Sequence, residues 1–300
     1  MQPSRNKMDK LTPEIALVVC TRNRADKLQG FFDAVRRLKV DFDWELIIVN
    51  NGSTDQTEEY LKQFAAGYPG QLRLLFEPET GVARGRNRGW RASQAPIIAF
   101  IDDDCYPEQT FLTDLKQAFA RATLGVIGGR ILLFDPTDAP VTINDSTQEI
   151  FLRAGQFVYA GFLQGANLAF RRQALMDIDG FDQYLGPGTP FICEDADLVL
   201  RVLASGWEGK YDPGPTIYHH HRRKPGPEIQ RLLQGYDAGR GAIYLKCLLY
   251  LPQRWRCLLH WLKALKNQSG QQSVREFRAA IHYFGYQLKR NPNATYRRRS

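Results

Sequence analysis

Short apolar runs of strand length recur along the first hundred residues, each closed by a cluster of polar residues. Ile15-Ala16-Leu17-Val18-Val19-Cys20 predicts a buried first strand, followed by Thr21-Arg22-Asn23-Arg24-Ala25-Asp26. Leu28, Phe31, Phe32, Val35 and Leu38 then share one face of a predicted helix. Trp44 to Val49 predicts a second strand. It ends in the turn cluster Asn50-Asn51-Gly52-Ser53-Thr54-Asp55, which leads into a helix through Tyr60, Leu61 and Phe64. Leu72 to Phe76 predicts a third strand and Gly81 to Gly89 the opening of another helix. Ile97-Ile98-Ala99-Phe100-Ile101 is a fourth, buried strand that stops abruptly at Asp102-Asp103-Asp104. This β-α-β-α alternation predicts an α/β fold with an open, mostly parallel sheet and helices on both faces. Ligands of such sheets bind beyond the carboxyl ends of the strands, where the clusters at 21–26, 50–55 and 102–104 all fall.

Beyond Asp104 the pattern loosens. A helix is predicted through Phe111, Leu112, Leu115 and Phe119, and residues 135–160 read as loop and short strand, punctuated by Pro136 and Pro140. A Gly/Pro loop, Gly186-Pro187-Gly188-Thr189-Pro190, precedes Cys193-Glu194-Asp195-Ala196-Asp197, whose acids sit at a predicted helix start. Tyr211 to Tyr218 reads as extended and leads into His219-His220-His221. From Gly241 to Lys266 apolar and basic residues alternate, and Pro252 divides the stretch into two helices at most.

Charge changes this picture. The net charge of +8 is uneven: residues 222–300 hold 17 Lys/Arg against 3 Asp/Glu, and the first 221 residues hold 23 against 29. The two parts therefore call for different partners. The basic, Trp-containing segment 241–266 has the composition of a helix lying on an anionic membrane surface, or of a helix packed on the rest of the protein with its lysines outward. Three adjacent carboxylates at a strand end repel one another, and a divalent cation such as Mg²⁺ or Mn²⁺ relieves them. A second acidic cluster, Glu194 to Asp197, lies remote from the first in sequence. Five cysteines without a close metal-type pair fit a reducing compartment. Met1 to Lys10 is polar, unlike a secretion signal, and no apolar run approaches the ~20 residues of a membrane span. The expected location is cytoplasmic, with a peripheral association on the cytoplasmic face of a membrane.

Several ordered motifs together resemble the family 2 glycosyltransferases of GT-A fold, from about Ile15 to Arg223. They are Thr21-Arg22-Asn23-Arg24, Asn51-Gly52-Ser53-Thr54-Asp55, Arg86-Asn87, Asp102-Asp103-Asp104, Gly165-Ala166-Asn167, Gly180-Phe181-Asp182 and Glu194-Asp195-Ala196-Asp197. The resemblance implies a Rossmann-like GT-A domain over residues 1–224, with a nucleotide-binding half (14–104) and an acceptor-binding half (105–224), followed by a basic helical extension (225–300). It implies a metal-dependent inverting glycosyltransferase that moves a sugar from a nucleotide diphosphate donor to a saccharide or lipid-linked acceptor, in cell-surface polysaccharide synthesis. Thr21, Arg22 and Asn23 would line the nucleotide, and Arg84 or Arg86 would face it. The family places an acidic pair before its Gly-Ser-Thr-Asp, where this chain has Asn50-Asn51. An amide donates as well as accepts, so the base is left open. Asp104 would hold the metal with Asp102 in support, and Asp103 or Asp102 would meet the ribose. His219 falls where some GT-A enzymes add a metal ligand, and also reads as part of a basic turn. Asp195 would be the general base, Glu194 would orient the acceptor, and Asp197 would stabilise the helix start. Processive relatives carry Gln-x-x-Arg-Trp. Here Arg254-Trp255 is preceded by Leu251 at the glutamine position, which implies single-sugar addition.

Other function classes fit less of the chain. A nicotinamide-binding domain needs glycines after the first strand, and Thr21 to Leu28 has none. A sugar nucleotidyltransferase needs a Gly-rich basic phosphate loop at the same place. A basic nucleic-acid-binding protein using residues 222–300 would leave both acidic clusters unexplained, so no nucleic-acid partner is expected.

Overall fold

The computed structural model describes residues 12–290; Met1 to Lys10, and residues 291–300 of the basic C-terminal part, lie outside them. The first half runs β1 (Ile15–Thr21), α1 (Gln29–Arg36), β2 (Trp44–Asn50), α2 (Thr57–Ala66), β3 (Gln71–Phe76), α3 (Val82–Ala92) and β4 (Ile97–Asp102). Then come β5 (Cys105–Pro107), α4 (Phe111–Ala118), β6 (Leu124–Leu133), β7 (Ile150–Leu152), β8 (Asn167–Arg171), α5 (Arg172–Asp177), α6 (Glu194–Ala204) and β9 (Glu208–His219). Three helices close the chain: α7 (Pro227–Tyr250), α8 (Arg254–Asn267) and α9 (Gly270–Arg290). Among the described residues the strands form one mixed sheet of order β3-β2-β1-β4-β8-β6-β9-β5, with β7 paired to β9.

β1 lies between β2 and β4, parallel to both. Helices cover both of its faces, which is why its residues are apolar without alternation. Phe31 and Phe32 of α1, Leu61 and Phe64 of α2, and Phe111 and Leu115 of α4 pack on one face. Trp90 of α3, Leu175 of α5, and Leu198 and Val202 of α6 pack on the other. α3 settles close because Gly85 and Gly89, one turn apart, face the sheet. A Cβ at Gly85 would stand 2.9 Å from the Cys20 sulfur, and one at Gly89 would strike Val18.

After β4 the sheet changes character. β8 runs antiparallel to β4 and β6, and β5 and β7 run antiparallel to β9, while β6 and β9 are parallel. The mostly parallel sheet of the sequence reading is thus parallel from β3 to β4 and mixed beyond. The β5–β9 ladder sets Cys105 opposite His219 and so brings His219 to the end of the acidic triplet.

The stretch 241–266 does not form one outward surface. α7 and α8 divide around Pro252, but Ala242, Ile243, Tyr244, Cys247 and even Lys246 of α7 are buried. Gly239 and Gly241 are the physical reason. Without side chains they let α7 lie directly against the backbone of Ile192 and of Glu276. α7 is therefore held between the segment before α6 and α9, a helix within the expected helical extension. No described helix is long and apolar enough to cross a membrane.

Candidate active site

A cleft of about 780 Å³ opens beyond the ends of β1, β2 and β4 and reaches the start of α6 and one side of α7. Asp103 is buried there, accepts a hydrogen bond from Thr21 Oγ1 at 2.6 Å and lies 3.5 Å from Arg24 Nε. Burial pushes its carboxyl up to about 7, against the pull of Arg24 and Thr21. Burial acts on Asp104 in the same direction, but the hydrogen bond and charge of His219 and the charge of Arg24 outweigh it and hold this carboxyl below its ordinary value. His219 Nε2 is 3.3 Å from Asp104 Oδ1, and its Nδ1 is 3.2 Å from Thr142 Oγ1. Burial disfavours the charged imidazole, yet Asp104 keeps its pKa above the usual value.

Asp102, Asp104, Cys105 and His219 each offer one ligand atom, all within 4.8 Å of one another. Carboxylate oxygens with one imidazole nitrogen suit Mn²⁺, and the oxygens alone suit Mg²⁺. Burial pushes the Cys105 thiol well above its ordinary pKa, and sulfur is a softer ligand than Mg²⁺ or Mn²⁺ prefers.

The second cluster stands on a strained backbone. Cys193, just before α6, has φ +94°, a conformation that costs a residue with a Cβ about 1–3 kcal/mol. Its buried side chain packs with Ala196, Leu200 and Ile243, the last from α7. Asp195 is partly exposed. It accepts hydrogen bonds from the Gly165 and Ala196 backbone N–H groups, both at 2.7 Å. Burial raises its carboxyl and these two donors oppose the rise. Glu194 is buried and accepts from Arg86 Nη1 at 2.9 Å. Burial, with the charge of Asp195, pushes it up to about 7 against Arg86.

Arg86 joins the two clusters. Its Nη2 donates to Asp102 Oδ1 at 2.8 Å and to the Gly165 carbonyl at 3.1 Å. Burial works against its charge, but Asp102 and Glu194 more than compensate and hold its pKa above normal. A guanidinium is a rigid planar fork, so one side chain fixes the spacing of both carboxylates. Asp197 lies in the first turn of α6 and is also an ion-pair partner. It is buried between Arg201 Nε at 2.8 Å and Lys246 Nζ at 2.7 Å, and Lys246 also reaches Asp182 at 2.6 Å.

Thr21, Arg22, Asn51, Arg86, Asp102, Asp103, Asp104, Glu194, Asp195 and His219 all line this one cleft. Three expected residues do not line it. Asn23 has φ +53° and pins the loop, accepting from Thr54 N–H at 2.8 Å while its own N–H donates to Ser53 Oγ. Asn50 accepts from Ser53 N–H, and its Nδ2 finds no partner among the described residues. Arg84 pairs with Glu79 at 2.7 Å and with Gln183, and lines a separate groove of about 410 Å³ with Arg73, Arg88 and Arg91. Asn51 does line the cleft, but its amide is occupied by the Glu77 and Glu79 carbonyls and the Gly81 N–H. Sequence reasoning assigns no role to Arg24, Arg223 or Tyr236, which also line the cleft. Arg24 stood in the first polar cluster and was within reach of it; the other two carry no local signal.

Comparison with known proteins agrees with this geometry. The family described as "Glycosyl transferase family 2" matches residues 16–179. The pre-mycofactocin glycosyltransferase of Mycobacterium tuberculosis is 26% identical over 216 residues, covering 70% of this chain and 43% of that protein. The chain thus spans less than half the length of that relative. Glycosyltransferase AglE of Haloferax volcanii is 24% identical over 237 residues, 79% of this chain and 75% of that protein. The mannosyltransferase PcManGT from Pyrobaculum calidifontis, solved in complex with GDP-Man and Mn²⁺, matches with a TM-score of 0.64 at 19% identity, covering 94% of this chain and 76% of that one. Staphylococcus aureus TarS in complex with UDP-GlcNAc matches with a TM-score of 0.57 at 13% identity, covering 93% and 73%. These structural likenesses establish a GT-A fold. With the family match extending over more than half of its length, the chain belongs to glycosyl transferase family 2.

Proposed function

We propose that this protein is a metal-dependent inverting enzyme that transfers a sugar from a nucleotide diphosphate donor to a hydroxyl of a saccharide or lipid-linked saccharide, in the assembly of a cell-surface polysaccharide. The observation that carries this reading is the Arg86 fork, which holds a donor-side and an acceptor-side carboxylate on one cleft. Asp104, Asp102 and His219 would hold Mn²⁺ or Mg²⁺, which supplies positive charge for the departing diphosphate. Thr21 and Arg22 line the nucleotide side. Asp102, with its side chain 37% exposed, is more open to a ribose than the buried Asp103. Asp195 takes the acceptor proton. Its two backbone donors orient the carboxylate, and burial keeps it basic enough to do so. Glu194 is engaged by Arg86 and acts as a positioning residue. A base separate from the donor-side cluster is what a single inverting displacement requires.

The donor class draws support from the two structural neighbours, one solved with GDP-Man and the other with UDP-GlcNAc. Calorimetry of the wild type and of Asp104→Ala with UDP, GDP and their sugars, in Mn²⁺ and in EDTA, tests the reading. Binding should need the ion and Asp104. A ligand at ~100 times its dissociation constant should add roughly 2.7 kcal/mol of stability. Wild-type binding indifferent to EDTA, together with normal binding by Asp104→Ala, would remove the metal assignment.

A further inference from the structure

We propose that the outer faces of α8 and α9 dock on an anionic lipid surface. This deepens the acceptor side of the function above and is independent of donor chemistry, so the two readings fail separately. On α8, Trp255, Leu259 and Leu262 are 68%, 68% and 48% exposed and follow one another at helical spacing. On α9, Val274, Phe277, Ile281 and Phe284 are 55%, 46%, 73% and 46% exposed and form a second row. The opposite faces of the same helices are buried, through Cys257 and Trp261 on α8 and Ala279, Ala280 and Tyr283 on α9. Each helix therefore has a fixed orientation, and the apolar rows face outward because of it. Trp261 Nε1 donates to Glu276 Oε2 at 3.0 Å and its ring lies 5.0 Å from that of Phe277, which ties the two helices together. Isolated exposed apolar side chains are ordinary, whereas continuous rows mark a surface that binds something.

Charge selects the occupant. α8 carries Arg254, Arg256, Lys263 and Lys266 and no acid, and all four are exposed. α9 carries one acid in its described part, Glu276, which is buried against Arg240 and Trp261, while Arg278 is exposed. The outward faces are thus apolar rows flanked by cations alone. A second copy of the same surface would set cations against cations, so an anionic lipid headgroup layer is the complementary partner. At ~1.5 Å per residue α8 is about 21 Å long, which suits a helix lying in the interface plane. The position relative to the cleft is also informative. Tyr283 and Tyr286 of α9 pack on Phe191, at 5.3 and 5.6 Å between ring centroids. Phe191 ends the loop whose Pro187 and Gly188 line the cleft. The docking helices and the acceptor side of the cleft share one support, as a lipid-linked acceptor requires.

Co-sedimentation of the full chain with phosphatidylcholine vesicles, with and without phosphatidylglycerol, tests the proposal. The wild type should bind the anionic vesicles, and high salt should weaken the binding. Leu259→Glu/Ile281→Glu, and separately Lys263→Glu/Lys266→Glu, should each weaken it about tenfold or more. Donor affinity should stay unchanged in both, which confirms that they fold. Equal binding to neutral and anionic vesicles, no binding to either, or unaltered binding by the folded Leu259→Glu/Ile281→Glu variant would overturn it. So would a solution dimer of the wild type that Ile281→Glu dissociates, since the second copy would then be the occupant.

Discussion

Asp102–Asp104 and Glu194–Asp197 are both short acidic clusters, yet their surroundings differ in kind. The first is balanced by side chains: Arg24 and His219 on its own side of the cleft, Arg86 Nη2 on Asp102 at 2.8 Å, and the Thr21 hydroxyl on Asp103. Burial pushes the Asp103 carboxyl up to about 7. The second is balanced by fixed donors from three separate parts of the chain: Arg86, the Gly165 N–H and, behind them, Lys246 of α7. Adjacent carboxylates held by movable side chains suit a cluster that takes a cation, whereas a carboxylate oriented by backbone donors suits one that moves a proton. Acidic composition alone does not separate these roles; the source and rigidity of the counter-charge do.

The sharpest way to break this comparison is Asp195→Asn. It keeps the size and one carbonyl acceptor but removes the base, so turnover should fall by roughly two to four orders of magnitude with donor affinity near wild type. Glu194→Gln should cost less. Under the proposed role the ionised Asp195 carboxylate would be the active form, and burial raises its pKa. Activity should therefore rise with pH over a limb that lies above the ordinary aspartate range and is absent from Asp195→Asn. Full turnover in Asp195→Asn with a dead Glu194→Gln would exchange the two roles.

Next in size is Lys246→Met. It leaves Asp182 and part of Asp197 without a buried counter-charge, a change that typically costs about 3–5 kcal/mol. Urea unfolding measures it, and an unchanged midpoint would mean that α7 does not secure the start of α6. A double-mutant cycle of Asp102→Asn with Glu194→Gln then tests the Arg86 bridge. Residues sharing one network show coupling of roughly 0.5–3 kcal/mol, and strict additivity would show that the clusters act independently.

A separate effect concerns Asp103 in the metal-free protein. Its folded carboxyl titrates at about 7, against about 3.9 when unfolded. The folded state holds the proton more tightly, so this group's own contribution to stability is fully present below about pH 4 and is lost as pH rises towards 7. Asp103→Asn should flatten that decline in melting curves taken in EDTA; an identical pH dependence would place the titration elsewhere.

The first half of the fold was legible because its signals are local. Apolar runs such as Ile15–Cys20 and Ile97–Ile101, separated by amphipathic helices, predict parallel strands, and parallel strands send their polar ends to one edge. The family motifs lie on those ends, so the residues worth asking about were visible. Beyond β4 the strand directions were not, because nothing local in Asn167–Arg171 distinguishes an antiparallel from a parallel neighbour.

The sequence by itself determined the alternation of elements in the first half, the two acidic clusters and the uneven charge between the two parts of the chain. Only the tertiary structure decided which carboxylate meets which cation. It turned Asn23 and Asn50 towards the backbone N–H groups of Thr54 and Ser53, sent Arg84 to another groove, buried Lys246 and left the rows on α8 and α9 exposed. The physical reason is range. Strand and helix patterns arise from residues a few positions apart, whereas the partner of a buried charge is chosen among groups such as Arg86 and Glu194, 108 positions away in sequence, that desolvation forces to satisfy one another.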